Sequence, residues 1–397
     1  MRSVSVDPAA KTVTAQGGAL WSDVDTGAEK YGLAAVGGTV NHTGIGGLTL
    51  GGGYGFLTGK AGLVIDNMLE VEMVLADGSI VAASDKENVD LFWAARGAGS
   101  SFGVATKFVF RAHELKGPVW GGMLVFPKTQ LEQVVKFSNA VFDPALDGKA
   151  MVLMAFGAPP PAFQPVVMTA LFYNGPEEEA KSFFEPLLSL GPLANMTAAM
   201  PYSGANAMLN AGMGPGARRK YIKPIRKGRM ELTRIHNSMK GSSFVAPLDF
   251  HFAESLFTDF ETFIARLPDA GMTVILFEFV PFHKLLSVPH DATAFANRGP
   301  CGNLMFGPAW TDPAFDDECR EWTREMGRKG RAEFARRVKA AGRDEGQSVG
   351  VGEYGNYDGL DESGGTTLFG GNAERLRRLK EKYDPANLFR KGPRVLS

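Results

Sequence analysis

A glycine-rich stretch near the start of the chain is the part of the sequence best suited to holding a ligand. Six of the ten residues from Gly44 to Gly53 are glycine. Fixing glycine costs more conformational entropy than fixing any other residue, so the stretch indicates a backbone that approaches a ligand or a packed neighbour very closely. Bulky apolar residues are interleaved with the glycines: Ile45, Leu48, Leu50 and Tyr54. This regular placement favours an ordered loop and turn over a flexible surface loop.

The stretch matches neither of the two familiar phosphate-binding motifs. A P-loop ending at Gly59-Lys60 needs glycine at position 54 and serine or threonine at position 61, which are tyrosine and alanine. A dinucleotide fingerprint beginning at Gly44 needs glycine or alanine at position 49, which is threonine, and one beginning at Gly51 meets Phe56. The sequence therefore predicts neither a nucleoside-triphosphate loop nor a Rossmann turn.

A second loop of small residues is predicted to pack beside the first and to meet the same ligand. Asp90–Arg96 is predicted as a short helix that runs into the loop Gly97–Gly103, and a strand begins at Val104. Two glycine-rich loops bordered by strands can converge on one site. His42 lies just before the first loop, where a lone histidine fits either a structural role or a place in the pocket.

Composition excludes several classes of function. The net charge is −1 over 397 residues, so no global field favours nucleic acid or an acidic membrane. The basic run from Arg218 to Arg229 is interpreted as a solvated loop, because Tyr221 is its one aromatic residue. No apolar run reaches the length of a membrane span, and no signal-peptide pattern opens the chain, so the cytoplasm is the default expectation. No metal site is predicted.

Local patterns predict two regions and a tail. The first region begins with a β-hairpin made of Val4–Val6 and Thr12–Ala15. The pattern changes near Lys116–Pro118, after which strands and helices are predicted to about residue 350. The predicted helices include Glu177–Leu188 and a charged amphipathic helix over Asp316–Ala341. The tail returns to motif-like sequence and includes a basic helix over residues 371–380.

Five segments in order resemble the berberine-bridge-enzyme-like FAD-linked oxidoreductases of the vanillyl-alcohol-oxidase (PCMH-type) superfamily, and fungal members in particular. The segments are Gly44–Gly55, Asp90–Gly97, Phe102-Gly103, Tyr354–Tyr357 and Lys382–Phe389. The resemblance implies an α+β, PCMH-type two-domain fold in which the FAD domain is split around a substrate domain with an antiparallel sheet. It implies an FAD-binding domain over residues 1–115, a substrate domain over 116–350, and a tail over 351–397 that returns to the FAD domain.

The same resemblance implies an activity and a set of site residues. Hydride passes from a small organic substrate (an alcohol, a sugar or a secondary metabolite) to FAD, with molecular oxygen the expected acceptor. Tyr357 is the expected base, although an unperturbed tyrosine has a pKa of about 10 and needs help to act at neutral pH. Tyr354 is expected to pack on the flavin or to assist Tyr357. The expected FAD contacts are Gly44, Ile45, Gly46, Gly47, Leu48, Tyr54, Ser100, Gly103, Val104 and Asn356.

The sequence departs from the family pattern in three ways. The family's Gly-Gly-His segment, which cradles the pyrophosphate, precedes the part that matches this chain, and no histidine here follows a Gly-Gly pair. Val40 stands where members with a second covalent link carry cysteine, so FAD is expected to bind weakly and non-covalently. Asn303 stands where some plant members carry a carboxylate base, and an amide cannot accept the proton.

Two alternatives remain open at this stage. The chain could be a flavin-free binding protein or cyclase on the same fold, or the inactive product of a truncated gene. The substrate is not named by the sequence. A group of aromatic residues fits either an apolar pocket or the core, with the core favoured: Phe277, Phe279, Phe282, Phe306 and Trp310.

Overall fold

The structure is a computed structural model that describes residues 1–211, 221–224, 230–233, 235–344, 349–358 and 364–396. Most of the basic run between Arg218 and Arg229 lies outside these residues, so its interpretation as a solvated loop stays a prediction. Within the described ranges, no helix combines the length and the apolar character that a bilayer span requires.

The N-terminal region forms a six-stranded antiparallel sheet flanked by short helices. The strand order is β1-β2-β6-β4-β5, and β3 also pairs with β6. The hairpin predicted at the start of the chain is confirmed, because Val4 pairs with Ala15 and Asp7 with Thr12. The elements are β1 (Val4–Asp7), β2 (Thr12–Gln16), α1 (Trp21–Glu29), β3 (Leu33–Ala35), α2 (Ile45–Leu50), α3 (Thr58–Ala61), β4 (Met68–Val74), β5 (Ile80–Ser84), α4 (Val89–Ala98) and β6 (Val104–Glu114).

The middle region forms a second, eight-stranded antiparallel sheet, with helices on one face. Its order is β10-β7-β9-β8-β16-β17-β15, and β11 also pairs with β7. The elements are β7 (Val119–Phe126), α5 (Leu131–Ser138), β8 (Ala150–Gly157), β9 (Val166–Tyr173), α6 (Glu177–Leu188), β10 (Ala194–Asn195), β11 (Ala198–Met200), α7 (Tyr202–Ala205), β12 (Tyr221–Pro224), β13 (Met230–Thr233), β14 (His236–Asn237), β15 (Lys240–Val245), α8 (Phe250–Arg266), β16 (Val274–Phe279), α9 (His283–Leu286), β17 (Cys301–Gly307), β18 (Ala309–Trp310) and α10 (Asp316–Ala340). The tail adds α11 (Gly365–Phe369) and α12 (Ala373–Tyr383). The chain passes from the first sheet to the second between β6 and β7. The division into domains at residues 115 and 350 stays a prediction.

Side-chain alternation divides the eight-stranded sheet into two faces. On β16, Phe277 and Phe279 point into a core shared with the helices, whereas Leu276 packs in the core shared with the N-terminal region. The aromatic residues considered for a substrate pocket lie on the helix side: Phe277, Phe279, Phe306 and Trp310 are buried there, and Phe282 packs on Phe142. These residues are therefore core, and the face that meets the N-terminal region carries the polar residues described below.

A buried carboxyl group joins the N-terminal region to the segment around α7. Asp25 on α1 is 2% exposed, and its Oδ2 accepts a hydrogen bond from Asn206 Nδ2 at 2.9 Å. Among the described residues, its Oδ1 accepts none. Burial raises the pKa of Asp25 to about 7, and the hydrogen bond from Asn206 offsets only part of that rise.

We expect Asp25→Asn to flatten the dependence of stability on pH. Because the pKa is raised on folding, the contribution of Asp25 is fully present below the unfolded pKa near 4 and is lost as pH rises toward 7. The neutral amide avoids this loss, so its advantage in the free energy of unfolding should grow with pH to on the order of 2–4 kcal/mol at pH 8. Urea unfolding across this pH range measures it. Asp317→Asn, at an exposed position, is the control, and equal slopes for Asp25→Asn and the unaltered protein would contradict the expectation.

Candidate active site between the tail and the eight-stranded sheet

The tail forms a tight turn against the edge of the eight-stranded sheet. Residues Gly355–Tyr357 form one turn of 3₁₀ helix, closed by a hydrogen bond from the Tyr357 N–H to the Tyr354 carbonyl at 2.9 Å. The turn packs on the edge strand β15 at Gly241, where an added Cβ would come within 2.7 Å of Tyr357 Cβ. The missing side chain at Gly241 therefore allows Tyr357 to lie flat against the strand.

Tyr357 reaches a buried carboxylate on the same sheet, two strands in from the edge. Its hydroxyl donates to Glu278 Oε1 at 2.6 Å, and Asn303 Nδ2 donates to Glu278 Oε2 at 2.8 Å. Glu278 and Asn303 are direct partners across β16 and β17, and each is only 2% exposed. Both carboxylate oxygens are therefore held by hydrogen bonds in a site that excludes water.

The electrostatics of this group favour a neutral tyrosine. Burial and the neighbouring Glu278 carboxylate hold the pKa of Tyr357 well above its usual value. Burial also raises the pKa of Glu278, although the hydrogen bonds from Tyr357 and Asn303 oppose that rise. The charged group that the Tyr357 hydroxyl contacts is an acid, so this contact raises the pKa of Tyr357 and does not lower it. A tyrosine hydroxyl that stays neutral and donates to a carboxylate is better suited to passing on a proton than to accepting one as an ionised base.

Glu278 is the candidate site residue that the sequence analysis missed. The carboxylate was sought at position 303, and the structure shows it on the adjacent strand, directly across from Asn303. A signal was present: Glu278 is the one charged residue in the strand sequence VILFEF. A single charge within a buried apolar strand needs a partner or a function.

Tyr354 forms the centre of an aromatic cluster that links the tail to the glycine run. Its ring lies 4.9 Å from that of Tyr357 and 5.0 Å from that of Tyr54, both edge to face. Its hydroxyl oxygen accepts from the Gly53 N–H at 3.2 Å and from Asn356 Nδ2 at 2.8 Å. The second N–H of the same amide donates to the Leu48 carbonyl at 3.0 Å. These contacts connect the predicted catalytic turn with the predicted cofactor loop.

The glycine run has an open half and a closed half. In the open half, a Cβ added at Gly44 or Gly47 would meet no atom within 4 Å. In the closed half, Gly51 lies against Asn356 and Gly52 against Phe295, beside a cavity of about 10 Å³, which holds at most one water. The run is ordered, as predicted, but its middle residues form the short helix α2 instead of a loop and turn. The open backbone at Gly44–Gly47 fits the close approach of a flat or anionic group.

The second small-residue loop lies beside the first, as predicted. A Cβ added at Gly99 would come within 2.5 Å of Leu50 Cδ2, and Gly97 packs against the same residue, Phe295, that covers Gly52. The other end of this loop faces different neighbours. Ser100 lies against Gly392 of the tail, Gly103 packs against the Val74 carbonyl on β4, and Val104 is exposed. The roles of Ser100, Gly103 and Val104 as FAD contacts therefore stay predictions.

His42 and Ile45 show two different environments at the open half of the glycine run. Among the described residues, the Nε2 atom of His42 is buried and has no hydrogen-bond partner. The side chain of Ile45 is fully buried in the core, so this residue offers only its backbone to a ligand. An unsatisfied imidazole nitrogen beside open glycine backbone is consistent with a polar ligand at this end of the run.

Comparison with solved structures identifies the fold. The fold matches xylooligosaccharide oxidase from Myceliophthora thermophila with a TM-score of 0.74 at 23% identity, over 100% of this chain and 80% of that one. It matches 6-hydroxy-D-nicotine oxidase from Arthrobacter nicotinovorans with a TM-score of 0.72 at 23% identity, over 99% and 80%. The architecture is that of the PCMH-type flavoproteins, with an α+β fold of two units.

Sequence comparison gives the family. Residues 1–84 match the FAD binding domain family, and residues 353–392 match the family described as berberine and berberine like. The FAD-linked oxidoreductase pgmH of Aspergillus terreus is 37% identical over 401 residues, which cover 98% of this chain and 76% of that protein. The FAD-linked oxidoreductase hasG of Aspergillus fumigatus is 32% identical over 403 residues, or 97% and 78%. The chain belongs to the berberine-bridge-enzyme-like FAD-linked oxidoreductases, and its cofactor is FAD.

Proposed function

We propose that the chain oxidises an alcohol group of a small organic substrate and that the hydroxyl proton passes through Tyr357 to Glu278. One observation carries the proposal: the buried hydrogen bond of 2.6 Å between the Tyr357 hydroxyl and Glu278 Oε1, where tail and sheet meet. In this bond, a tyrosine hydroxyl can give its proton to a buried carboxylate and take another from the substrate. General base catalysis needs such a proton acceptor within hydrogen-bond reach.

The proton steps balance without a further reagent. The O–H bond of the substrate breaks as its proton goes to Tyr357 Oη, and the Tyr357 proton goes to Glu278 Oε1. Asn303 holds the other carboxylate oxygen throughout. Bound FAD supplies the acceptor for the hydride that leaves the substrate carbon, and the product is a carbonyl compound. Molecular oxygen is the proposed final electron acceptor.

The open half of the glycine run is the proposed site for the FAD phosphates. The backbone of Gly44, Ile45, Gly46 and Gly47 can approach an anion there because no Cβ stands in the way at Gly44 or Gly47. Further proposed contacts are Leu48, Tyr54, Ser100, Gly103, Val104 and Asn356. Non-covalent binding is proposed, because no residue is an evident attachment point, and flavin released by acid precipitation measures it.

The proposed role of Glu278 predicts a particular pH profile. We expect anaerobic flavin reduction by alcohol to accelerate as pH rises through the pKa of Glu278 and then to level off, because only the ionised carboxylate accepts the proton. Burial raises this pKa, so the rise in the rate, the ascending limb of the pH profile, should fall at a pH above the usual glutamate pKa of about 4.3. Glu278→Gln should be slow at every pH and should lack the limb. Stopped-flow flavin absorbance follows the reaction.

Glu179→Gln is the matched control for this measurement. Glu179 also accepts from a tyrosine hydroxyl, that of Tyr173 at 3.3 Å, but the pair lies on the helix side of the eight-stranded sheet. The pH profile of Glu179→Gln should equal that of the unaltered protein. The amount of flavin released by acid should be the same in the unaltered protein, Glu278→Gln and Glu179→Gln. A limb that survives in Glu278→Gln would assign the proton acceptor to another group.

A further inference from the structure

The turn that carries Tyr357 has acidic residues on both sides, and one buried lysine contacts both. Lys240 Nζ lies 2.8 Å from Asp358 Oδ1 and 3.6 Å from Glu353 Oε2. The side chains are 11%, 7% and 10% exposed, respectively, so the attraction is little screened by water. Glu353 immediately precedes Tyr354, and Asp358 immediately follows Tyr357. The Lys240 ammonium group therefore binds both ends of the turn.

The strand that supplies this lysine also supplies the surface on which Tyr357 lies. Lys240 and Gly241 are consecutive on β15, so their side-chain positions point to opposite faces of the sheet. Gly241 receives Tyr357, while the stem of Lys240 passes over α10 at Gly327, where an added Cβ would come within 2.7 Å of Lys240 Cγ. The tail turn thus straddles the edge strand, with the tyrosine on one side and the ion pairs on the other.

We infer that Lys240 is a positioning residue that holds the Tyr357 hydroxyl against Glu278. The inference rests on the proposed role of Tyr357. A hydrogen bond of 2.6 Å requires the turn to be fixed within a few tenths of an ångström. Among the described residues, the turn's backbone contributes single 3₁₀ hydrogen bonds, and the Asn356 amide ties the middle of the turn to the glycine run. The charged contacts from Lys240 to both ends of the turn supply the remaining restraint. Without them, Tyr357 can move away from the carboxylate while the rest of the sheet stays folded.

The direct test is structural and does not depend on activity. In a crystal structure of the FAD-bound Lys240→Met variant, we expect the Tyr357 Oη to Glu278 Oε1 distance to exceed 3.5 Å or the turn to lose order. Lys329→Met is the matched control, since Lys329 forms its ion pair with Asp259 on α8, within the middle region. Retention of the 2.6 Å bond in Lys240→Met would overturn the inference.

A kinetic cycle separates positioning from general stability. With benzyl alcohol and xylobiose as probes, Lys240→Met should slow flavin reduction by about 10–100-fold with flavin content unchanged, because small displacements at a reacting group cost about this much. In a Tyr357→Phe background, the same substitution should change the rate less than threefold. An equal effect in both backgrounds would also overturn the inference.

Two further outcomes are distinguishable. If Lys240→Met does not fold, Asp358→Asn removes one of the two charges with little change of shape, and the same structure and cycle apply to it. If Tyr357→Phe alone leaves flavin reduction unchanged, the proposed function fails. If Tyr357→Phe is slow while Lys240→Met and Asp358→Asn are both as fast as the unaltered protein, only the positioning role fails.

Discussion

Replacing Tyr357 with phenylalanine should slow flavin reduction by about 10²–10⁴-fold, the usual contribution of a positioned general acid or base. The phenyl ring keeps the edge-to-face contact with Tyr354 at 4.9 Å and the packing on Gly241, so FAD content and the fold should be nearly unchanged. The loss is specific to the hydroxyl, which is the group that joins the substrate proton to Glu278 Oε1. Anaerobic stopped-flow absorbance of the bound flavin measures the rate.

A second tyrosine provides the control for this substitution. Tyr173 is 5% exposed and donates to Glu179 Oε2 at 3.3 Å, so Tyr173→Phe removes the same atom from a tyrosine–glutamate pair outside the site. This variant should reduce its flavin at the rate of the unaltered protein. Equal rates for Tyr357→Phe and Tyr173→Phe would assign the proton transfer to a different residue.

Combining Tyr357→Phe with Glu278→Gln tests whether the two residues act as one unit. Residues that pass the same proton in sequence lose function together, so the double variant should be little slower than the slower single variant. If the rate reduction of the double variant equals the product of the two single reductions, the residues contribute independently to the rate. The cycle thus examines the relay itself, whereas each single variant examines only one end of it.

Local pattern was sufficient to predict much of the secondary structure. The helix predicted over Glu177–Leu188 is α6 with the same bounds, and the charged helix predicted from Asp316 ends one residue from its observed end. Both helices could be predicted because the signal, apolar residues at helical spacing opposite a charged face, lies entirely within the helical segment itself. Strands such as Ala150–Gly157 and Lys240–Val245 were missed because buried strands read as short apolar or mixed runs without a clear alternation.

The proposed catalytic pair, Tyr357 and Glu278, could not be predicted from local pattern because its members are 79 residues apart and meet through sheet register. The family resemblance led to Tyr357, since this tyrosine lies within the contiguous motif Tyr354–Tyr357. It led to Asn303 for the carboxylate, one strand away from Glu278, because the sequence does not state which residues face each other on β16 and β17. The lone glutamate in an apolar strand was the available signal.

The tail is fixed to the second small-residue loop by a buried ion pair that also depends on distant contacts. Lys380 and Asp384 lie one turn apart at the end of α12, and their side chains are 1% and 0% exposed. Lys380 Nζ donates to Asp384 Oδ2 at 2.6 Å, to the Ser101 carbonyl at 2.6 Å and to the Phe389 carbonyl at 3.0 Å. Asp384 in turn accepts from the N–H groups of Leu388 and Phe389, both at 2.8 Å. Every charged atom is therefore satisfied without water.

Lys380→Met should lower the free energy of unfolding by about 3–5 kcal/mol, because it leaves the Asp384 carboxylate buried without its cation. Two backbone carbonyls, one of them in the loop beside the glycine run, lose a donor in the same step. Urea unfolding of the FAD-saturated protein measures the loss. Lys382→Met on the same helix is the control: its side chain is 59% exposed and 3.9 Å from Asp90, so its effect should stay within about 0.5 kcal/mol. If the two variants unfold at the same urea concentration, the buried pair does not anchor the tail to the second small-residue loop.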